Sequence, residues 1–344
     1  MTTVLLTGAS GYIGKHITLQ LLNQGYNVRA SVRSFSKSSE VINAVKPHLA
    51  DSKDLDSRLT FVELDLEKDS GWDAAIKGVD VLLHTASPFP LASPKDENEL
   101  IRPAVDGSLR ALKAAHSAGV KRVILTSSMA AIYGRELPTG ASEYDETLWT
   151  DVTHPVGRVA YTKSKTLAEK AAWDYIKSSA PEIALTTINP VLVLGAPLDK
   201  NFGSSISVVE RILNGKDPML PDLNFAIVDV RDVAKMHVDA IKVDAAKGER
   251  ILASSETKSF VGIAKLLKAT YPKSKVKTAQ APTFLIGILG IFDGTVRSIL
   301  PQLGKPMRIS GAKAKRLLGI NFIPADVSIK ESADYLIKNG FIKA

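Results

Sequence analysis

The 344-residue chain has no cysteine. Disulfide frameworks and thiolate metal centres are therefore excluded. Its six histidines, His16, His48, His84, His116, His154 and His237, show no paired spacing of the kind that ligates zinc, so no metal site is expected. Long hydrophobic runs are equally scarce: the longest, Phe284 to Phe292, has nine residues and is interrupted by Gly287 and Gly290. A membrane-spanning helix needs about 20. The chain opens Met-Thr-Thr and passes straight into Val4-Leu5-Leu6, without the basic start and small-residue cleavage site of a secretory signal, so the cytoplasm is the expected compartment. Neither a Walker loop nor a Gly-x-Ser-x-Gly elbow occurs, which argues against nucleotide hydrolysis and α/β-hydrolase chemistry.

With 45% hydrophobic and 23% charged residues, the composition is that of an ordinary globular protein, long enough for two domains or one large fold with an appended lobe. The net charge of +8 is unevenly placed: residues 1–256 sum to −3, whereas 257–344 hold 15 basic and 4 acidic side chains. No groove-reading module accompanies that basic quarter, so no nucleic-acid partner is expected. A membrane-surface role is disfavoured, resting only on Phe284–Phe292 beside Arg297, Lys305 and Arg308. A solvated lobe surface is the simpler reading.

Short Val/Ile/Leu-rich runs alternate with longer amphipathic stretches, the pattern of β-α units around a parallel sheet buried on both faces. Strands are predicted at 3–7, 26–32, 59–64, 80–85, 121–127, 183–189 and 249–253. Helices are predicted at 12–23, 97–118, 157–179, 204–214, 231–243 and 258–270. After Pro190 the pattern loosens through Gly195, Pro197, Gly203, Pro218 and Pro221, and a strand-helix unit returns at 225–243. The expected fold is a Rossmann-type doubly wound α/β sheet with a smaller, discontinuous C-terminal lobe. Residues 1–189 and 225–256 would form the nucleotide domain, and 190–224 with 257–344 the substrate lobe.

The first strand runs into Thr7-Gly8-Ala9-Ser10-Gly11-Tyr12-Ile13-Gly14 and then a helix. Glycines at this spacing, in this context, let backbone N–H groups approach a pyrophosphate at the positive end of the helix. Gly8, Ser10, Gly11, Tyr12, Ile13 and Gly14 are thus the expected dinucleotide cradle. An acidic residue about twenty positions on would take the ribose hydroxyl of NAD, but no Asp or Glu lies between Gly14 and Glu40. Arg33 and Lys37 stand there instead, and a guanidinium suits a 2′-phosphate. NADP(H) is therefore the expected cofactor. Asp65 and Leu66, after the third strand, are candidates to hold the adenine.

Tyr161 and Lys165 sit at i and i+4, one turn apart on one helix face. A carbonyl accepting hydride needs a proton on its oxygen, and a nearby ammonium is expected to lower the phenol's pKa from its ordinary value near 10. The strand at 121–127 ends in Thr126-Ser127-Ser128, placing a hydroxyl at the carboxyl edge of the sheet, where such folds bind ligands. Glycine loop, strand-end serine and Tyr/Lys pair, in that order, specify far more than any one of them.

On these motifs the chain resembles the extended short-chain dehydrogenase/reductases, in particular their dihydroflavonol reductase-like branch of carbonyl reductases. The likeness runs nearly end to end, through Leu83-His84-Thr85-Ala86-Ser87-Pro88-Phe89, Asn189-Pro190-Val191-Leu192-Val193-Leu194-Gly195, Val228-Asp229-Val230-Arg231-Asp232 and Ala314-Lys315-Arg316-Leu317-Leu318-Gly319. It implies a catalytic set of Ser128, Tyr161 and Lys165, with Lys165 also holding the nicotinamide ribose, and further cofactor contacts at Thr85, Ala86, Ser87, Pro190, Val193 and Ser205. It implies substrate walls at Phe89, Met129, Tyr133 and Leu192, which are apolar or aromatic and suit an apolar or aromatic carbonyl substrate rather than a sugar. The supporting asparagine of such enzymes is replaced here by Asp106. The resemblance leaves a monomer or homodimer open.

NADPH-dependent reduction of an aldehyde or ketone is the function these features imply. Two alternatives stand beside it: NAD(P)-dependent sugar epimerisation or dehydration on the same fold, and a non-catalytic NADP-sensing protein. Met129-Ala130 lacks the acids a dehydratase uses, Arg33 opposes NAD, and the retained Tyr161 speaks against a mere sensor.

Overall fold

Alternating apolar runs become β-α units because each buried strand must be covered on both faces by helices. The computed structural model describes residues 1–87 and 96–342. Its first units comprise β1 (Thr3–Thr7), α1 (Tyr12–Asn23), β2 (Asn27–Val32), α2 (Ser38–Val45), α3 (Leu55–Arg58), β3 (Leu59–Glu63), α4 (Trp72–Ile76) and β4 (Val81–His84). There follow α5 (Asn98–Ser117), β5 (Arg122–Thr126), α6 (Ala160–Ser179), β6 (Ala184–Pro190), β7 (Leu192–Leu194), α7 (Ser204–Leu213), β8 (Asn224–Asp229) and α8 (Val230–Lys242). The chain closes with β9 (Arg250–Ala253), β10 (Glu256–Ser259), α9 (Phe260–Thr270), α10 (Thr283–Phe292), α11 (Gly294–Ile299), α12 (Ala312–Leu318) and α13 (Ala325–Lys338).

The seven predicted strands are the seven strands of the main sheet, which is parallel throughout in the order β3-β2-β1-β4-β5-β6-β9. Along β1, Val4 and Leu6 enter one apolar cluster while Leu5 enters the other, so both faces are covered. The expected Rossmann-type fold is therefore present. The strand order reverses between β1 and β4, and the crevice beyond their carboxyl ends is where this architecture receives ligands.

A second sheet, β10-β8-β7, was only partly foreseen. The strand of the 225–243 unit is β8, but β7 and β10 are three and four residues long, too short for a periodic signal. Residues 284–292, read as the longest apolar run, fall within α10. No helix among the described residues is long and apolar enough to cross a membrane.

Candidate active site

The turn after β1 is held by two threonine side chains. The Thr7 hydroxyl accepts the N–H groups of Thr85 (3.1 Å) and Ala86 (3.2 Å) and bonds the His84 ring at 2.8 Å. The Thr85 hydroxyl donates back to the Thr7 carbonyl at 2.6 Å. These bonds draw the β4 end against the glycine turn so closely that a Cβ on Gly8 would stand 2.8 Å from the Ala86 nitrogen. Gly14 packs on the same turn, where a Cβ would meet the Gly8 carbonyl oxygen at 2.2 Å. Burial, helped by the Lys165 charge, lowers the His84 pKa to about 3 and keeps the ring neutral.

A cleft of about 310 Å³ opens above this turn. Of the predicted cradle, Gly8, Ser10 and Gly11 line it, as do Arg33, Lys37, Leu66, Thr85, Ala86 and Ser87. Five lining residues were missed: Thr7, Ser31, Val32, Leu64 and Trp72. Position at the ends of β1, β2 and β3 was the available signal for all but Trp72, which opens α4. Tyr12 turns its side chain away, its hydroxyl donating to the Gly195 carbonyl at 2.8 Å, so its backbone is what it offers at the start of α1. The same holds for the start of α1 at Ile13 and Gly14, whose first-turn N–H groups have no intrahelical partner. Asp65 does not line the cleft. Its carboxylate accepts the Glu67 N–H at 3.0 Å and pairs with Lys68 at 3.5 Å.

The residues present fit a phosphorylated dinucleotide. A glycine cradle that a Cβ would fill leads to a helix N-terminus, and the rim carries two cations where NAD-binding sites carry an acid. Arg33 is exposed and has no hydrogen-bond partner among the described residues. Lys37 is bonded to Glu40 at 2.7 Å.

The expected catalytic side chains come together. Ser128 caps the turn after β5, its hydroxyl accepting the Ala130 N–H at 3.2 Å, and the Tyr161 hydroxyl on α6 lies 3.5 Å from it, at the outer edge of hydrogen-bond reach. Lys165, one turn along, donates to Ser87 at 2.8 Å and thereby joins the tyrosine to the cofactor cleft. Lys163 faces elsewhere, paired with Glu97 at 2.6 Å. One expectation is corrected. Lys165 lies 5.8 Å from the centre of the Tyr161 ring, and burial raises the phenol's pKa despite the opposing bond to Ser128. Burial likewise lowers the Lys165 pKa to about 8. A phenol held protonated is suited to giving a proton rather than taking one.

Beside this group lies a pocket of about 320 Å³, lined by Ser128 and Tyr161 together with Met129, Tyr133 and Leu192 of the predicted substrate walls. Phe89 lies outside the described residues. Pro190 and Ser205 line this pocket too, whereas Val193 is buried in the second sheet opposite Val228. Gln302 and Met307 reach it from the C-terminal segment. Asp106 is exposed on α5.

Sequence reading missed a buried network behind the serine. Glu169 accepts from Ser127 (2.5 Å), Asn189 (2.7 Å), Thr187 (3.0 Å) and Arg250 (2.7 Å), and Asn189 also donates to the Ser128 carbonyl at 3.1 Å. Tyr161, Lys165 and Glu169 continue one i, i+4 stripe along α6, which is the signal that would have found it.

Comparison with known proteins places this geometry among relatives. A family model described as the NAD dependent epimerase/dehydratase family matches residues 4–253. The cinnamoyl-CoA reductase CAD2 of Medicago truncatula is 33% identical over 98% of this chain and 96% of its own. The ketoreductase azaE of Aspergillus niger is 34% identical over 86% of this chain and 91% of its own. Among solved structures, the yeast methylglyoxal/isovaleraldehyde reductase Gre2 complexed with NADPH superposes with a TM-score of 0.79, at 27% identity, over 99% of this chain and 100% of that one.

Proposed function

Because the chain belongs to the NAD dependent epimerase/dehydratase family, within its extended short-chain reductase branch, we propose that it reduces an aldehyde or ketone to the alcohol with NADPH. The observation that carries the reading is the Tyr161 hydroxyl set 3.5 Å from that of Ser128 in an apolar pocket, with Lys165 linking it to the cofactor cleft through Ser87. NADPH, when bound, supplies the hydride that becomes the new C–H bond at the carbonyl carbon. Ser128 orients the carbonyl oxygen by hydrogen bonding. Tyr161 gives its phenolic proton to that oxygen as negative charge builds there, and its burial keeps the proton in place until then. Lys165 holds the ribose side of the site and supports the phenolate that remains.

Arg33 takes the 2′-phosphate, and residues 1–189 with 225–256 serve the cofactor. The segments 190–224 and 257–344 shape the substrate side, which Gln302 and Met307 support by lining the pocket. Apolar walls at Met129 and Leu192 favour apolar or aromatic carbonyls. The test is NADPH consumption over a panel of aldehydes, α-ketoesters, diketones and aryl ketones, with NADH alongside. Tyr161→Phe is expected to lower kcat by about 10²–10⁴-fold, the usual worth of positioned proton transfer. Full turnover by that variant refutes the assignment.

A further inference from the structure

The pocket beside Ser128 and Tyr161 has a neighbour that the proposed reaction does not use. A chamber of about 480 Å³ lies beneath α10, walled by apolar side chains such as Leu223, Phe260, Ile286 and Leu289. The two spaces share Val208 and Phe225. Along α7, Ser205 lines the first space, Val208 both, and Arg211 the second. That three-residue spacing sets them along one side of α7, which therefore borders both spaces, with Val208 at their junction. Phe225 packs edge-on against Phe260, with ring centres 5.4 Å apart, and stands with Val208 where the two spaces meet and where a passage between them would run. At the far rim the Arg211 guanidinium is held by Asp217 through two bonds of 2.5 and 2.6 Å. That pair neutralises the charge at the chamber's only charged lining positions among the described residues, so nothing there calls for an anionic or cationic ligand.

We propose that the two spaces are successive segments of one substrate tract, and that the enzyme's substrates are carbonyl compounds with an extended apolar tail lodged beneath α10. This rests on the reductase reading above. A helix rises about 1.5 Å per residue, so Ser205 to Arg211 covers about 9 Å. An extended chain advances roughly 3.5 Å per three bonds, so about four carbons beyond the carbonyl reach the passage and about eight fill the chamber.

The test measures kcat/KM with NADPH for straight-chain aldehydes and 2-ketones of increasing length. Between about four and eight tail carbons it is expected to rise about threefold to fourfold per methylene, the worth of burying each one, and then level off. Ala281 is buried and Leu289 half-exposed, and both line the second chamber only. Ala281→Phe fills the chamber and Leu289→Glu charges it. Each should retain short-chain activity within twofold and lose the long-chain gain at least tenfold. Leu289→Glu serves where Ala281→Phe fails to fold. A flat chain-length series alongside real short-chain turnover overturns this inference and leaves the reductase reading intact. A flat series in which Ala281→Phe also shifts the sedimenting mass assigns the chamber to a second copy of the chain and overturns it equally. No NADPH consumption with any member overturns both.

Discussion

Removing the Glu169 carboxylate is expected to damage stability and turnover together. The side chain is fully buried and its Arg250 partner nearly so. Without it, Arg250 keeps the Glu146 and Leu148 carbonyls, at 2.8 and 2.7 Å, and its stack on Trp149 at 3.6 Å, but its charge is left uncompensated. Breaking one side of a buried ion pair costs about 3–5 kcal/mol. Unfolding entropy near 2.1 cal/mol/K per residue gives a 344-residue chain roughly 0.7 kcal/mol/K, so Glu169→Ala should melt about 4–7 °C lower.

Ser127 and Asn189 lose the same acceptor, and Asn189 also fixes the Ser128 carbonyl. Turnover should therefore fall with KM for NADPH little changed, because the cradle at Gly8 is built by Thr7 and Thr85 and not by this network. Replacing both charges, as in Glu169→Leu/Arg250→Met, should recover part of the melting temperature, since the desolvation of both ions is then relieved. Thermal melts by circular dichroism and steady-state kinetics read the two effects. A Glu169→Ala protein melting within about 1 °C of the native chain, with unchanged kcat, refutes the reasoning.

Two further predictions concern charge. Burial puts Lys165 near a pKa of about 8, below its ordinary value, so its ammonium is present below pH 8 and lost as pH rises through it. For the free enzyme, kcat/KM should fall about tenfold per pH unit above pH 8, a limb absent from Lys165→Met, and the limb's persistence there would remove Lys165 as its source. Stability moves the other way. The cost of the buried ammonium is relieved between pH 8 and the unfolded value near 10.5, so Lys165 itself adds stability on that rise. Arg33→Ser should raise KM for NADPH about tenfold to a hundredfold, the worth of a charge-assisted phosphate bond, while leaving NADH kinetics within about twofold. Equal losses with both cofactors would show that Arg33 serves the fold rather than the phosphate.

The main sheet was legible because its strands are buried on both faces and must be written as apolar runs. Tyr161 and Lys165 were legible because a helix converts a spacing of four into a shared face. Glu169 extends the same i, i+4 stripe, but its role was not legible, since its partners arrive from β5, β6 and β9 and the stripe does not record which strand ends meet it. Nor was Arg33's availability relative to Lys37. Both read as 2′-phosphate ligands, yet Lys37 is committed to Glu40.

Glu40 in turn takes bonds from Lys15 at 3.2 Å and Asn201 at 3.1 Å, and Lys15, itself buried, also pairs with Asp199. Burial works against ionisation of Glu40, but the bonds from Lys37, Lys15 and Asn201 hold its pKa down at about 2, so the carboxylate stays charged and competes with any phosphate for Lys37. Glu40 can release Lys37 without being left unpaired, because Lys15 and Asn201 remain. A 2′-phosphate would therefore meet Arg33 first and recruit Lys37 only by exchange. Of the two cations that looked equivalent in the sequence, Arg33 lines the cleft with no hydrogen-bond partner among the described residues, whereas any contribution from Lys37 is discounted by the Glu40 bond it must give up, so Arg33→Ser should change NADPH affinity more than Lys37→Ser does.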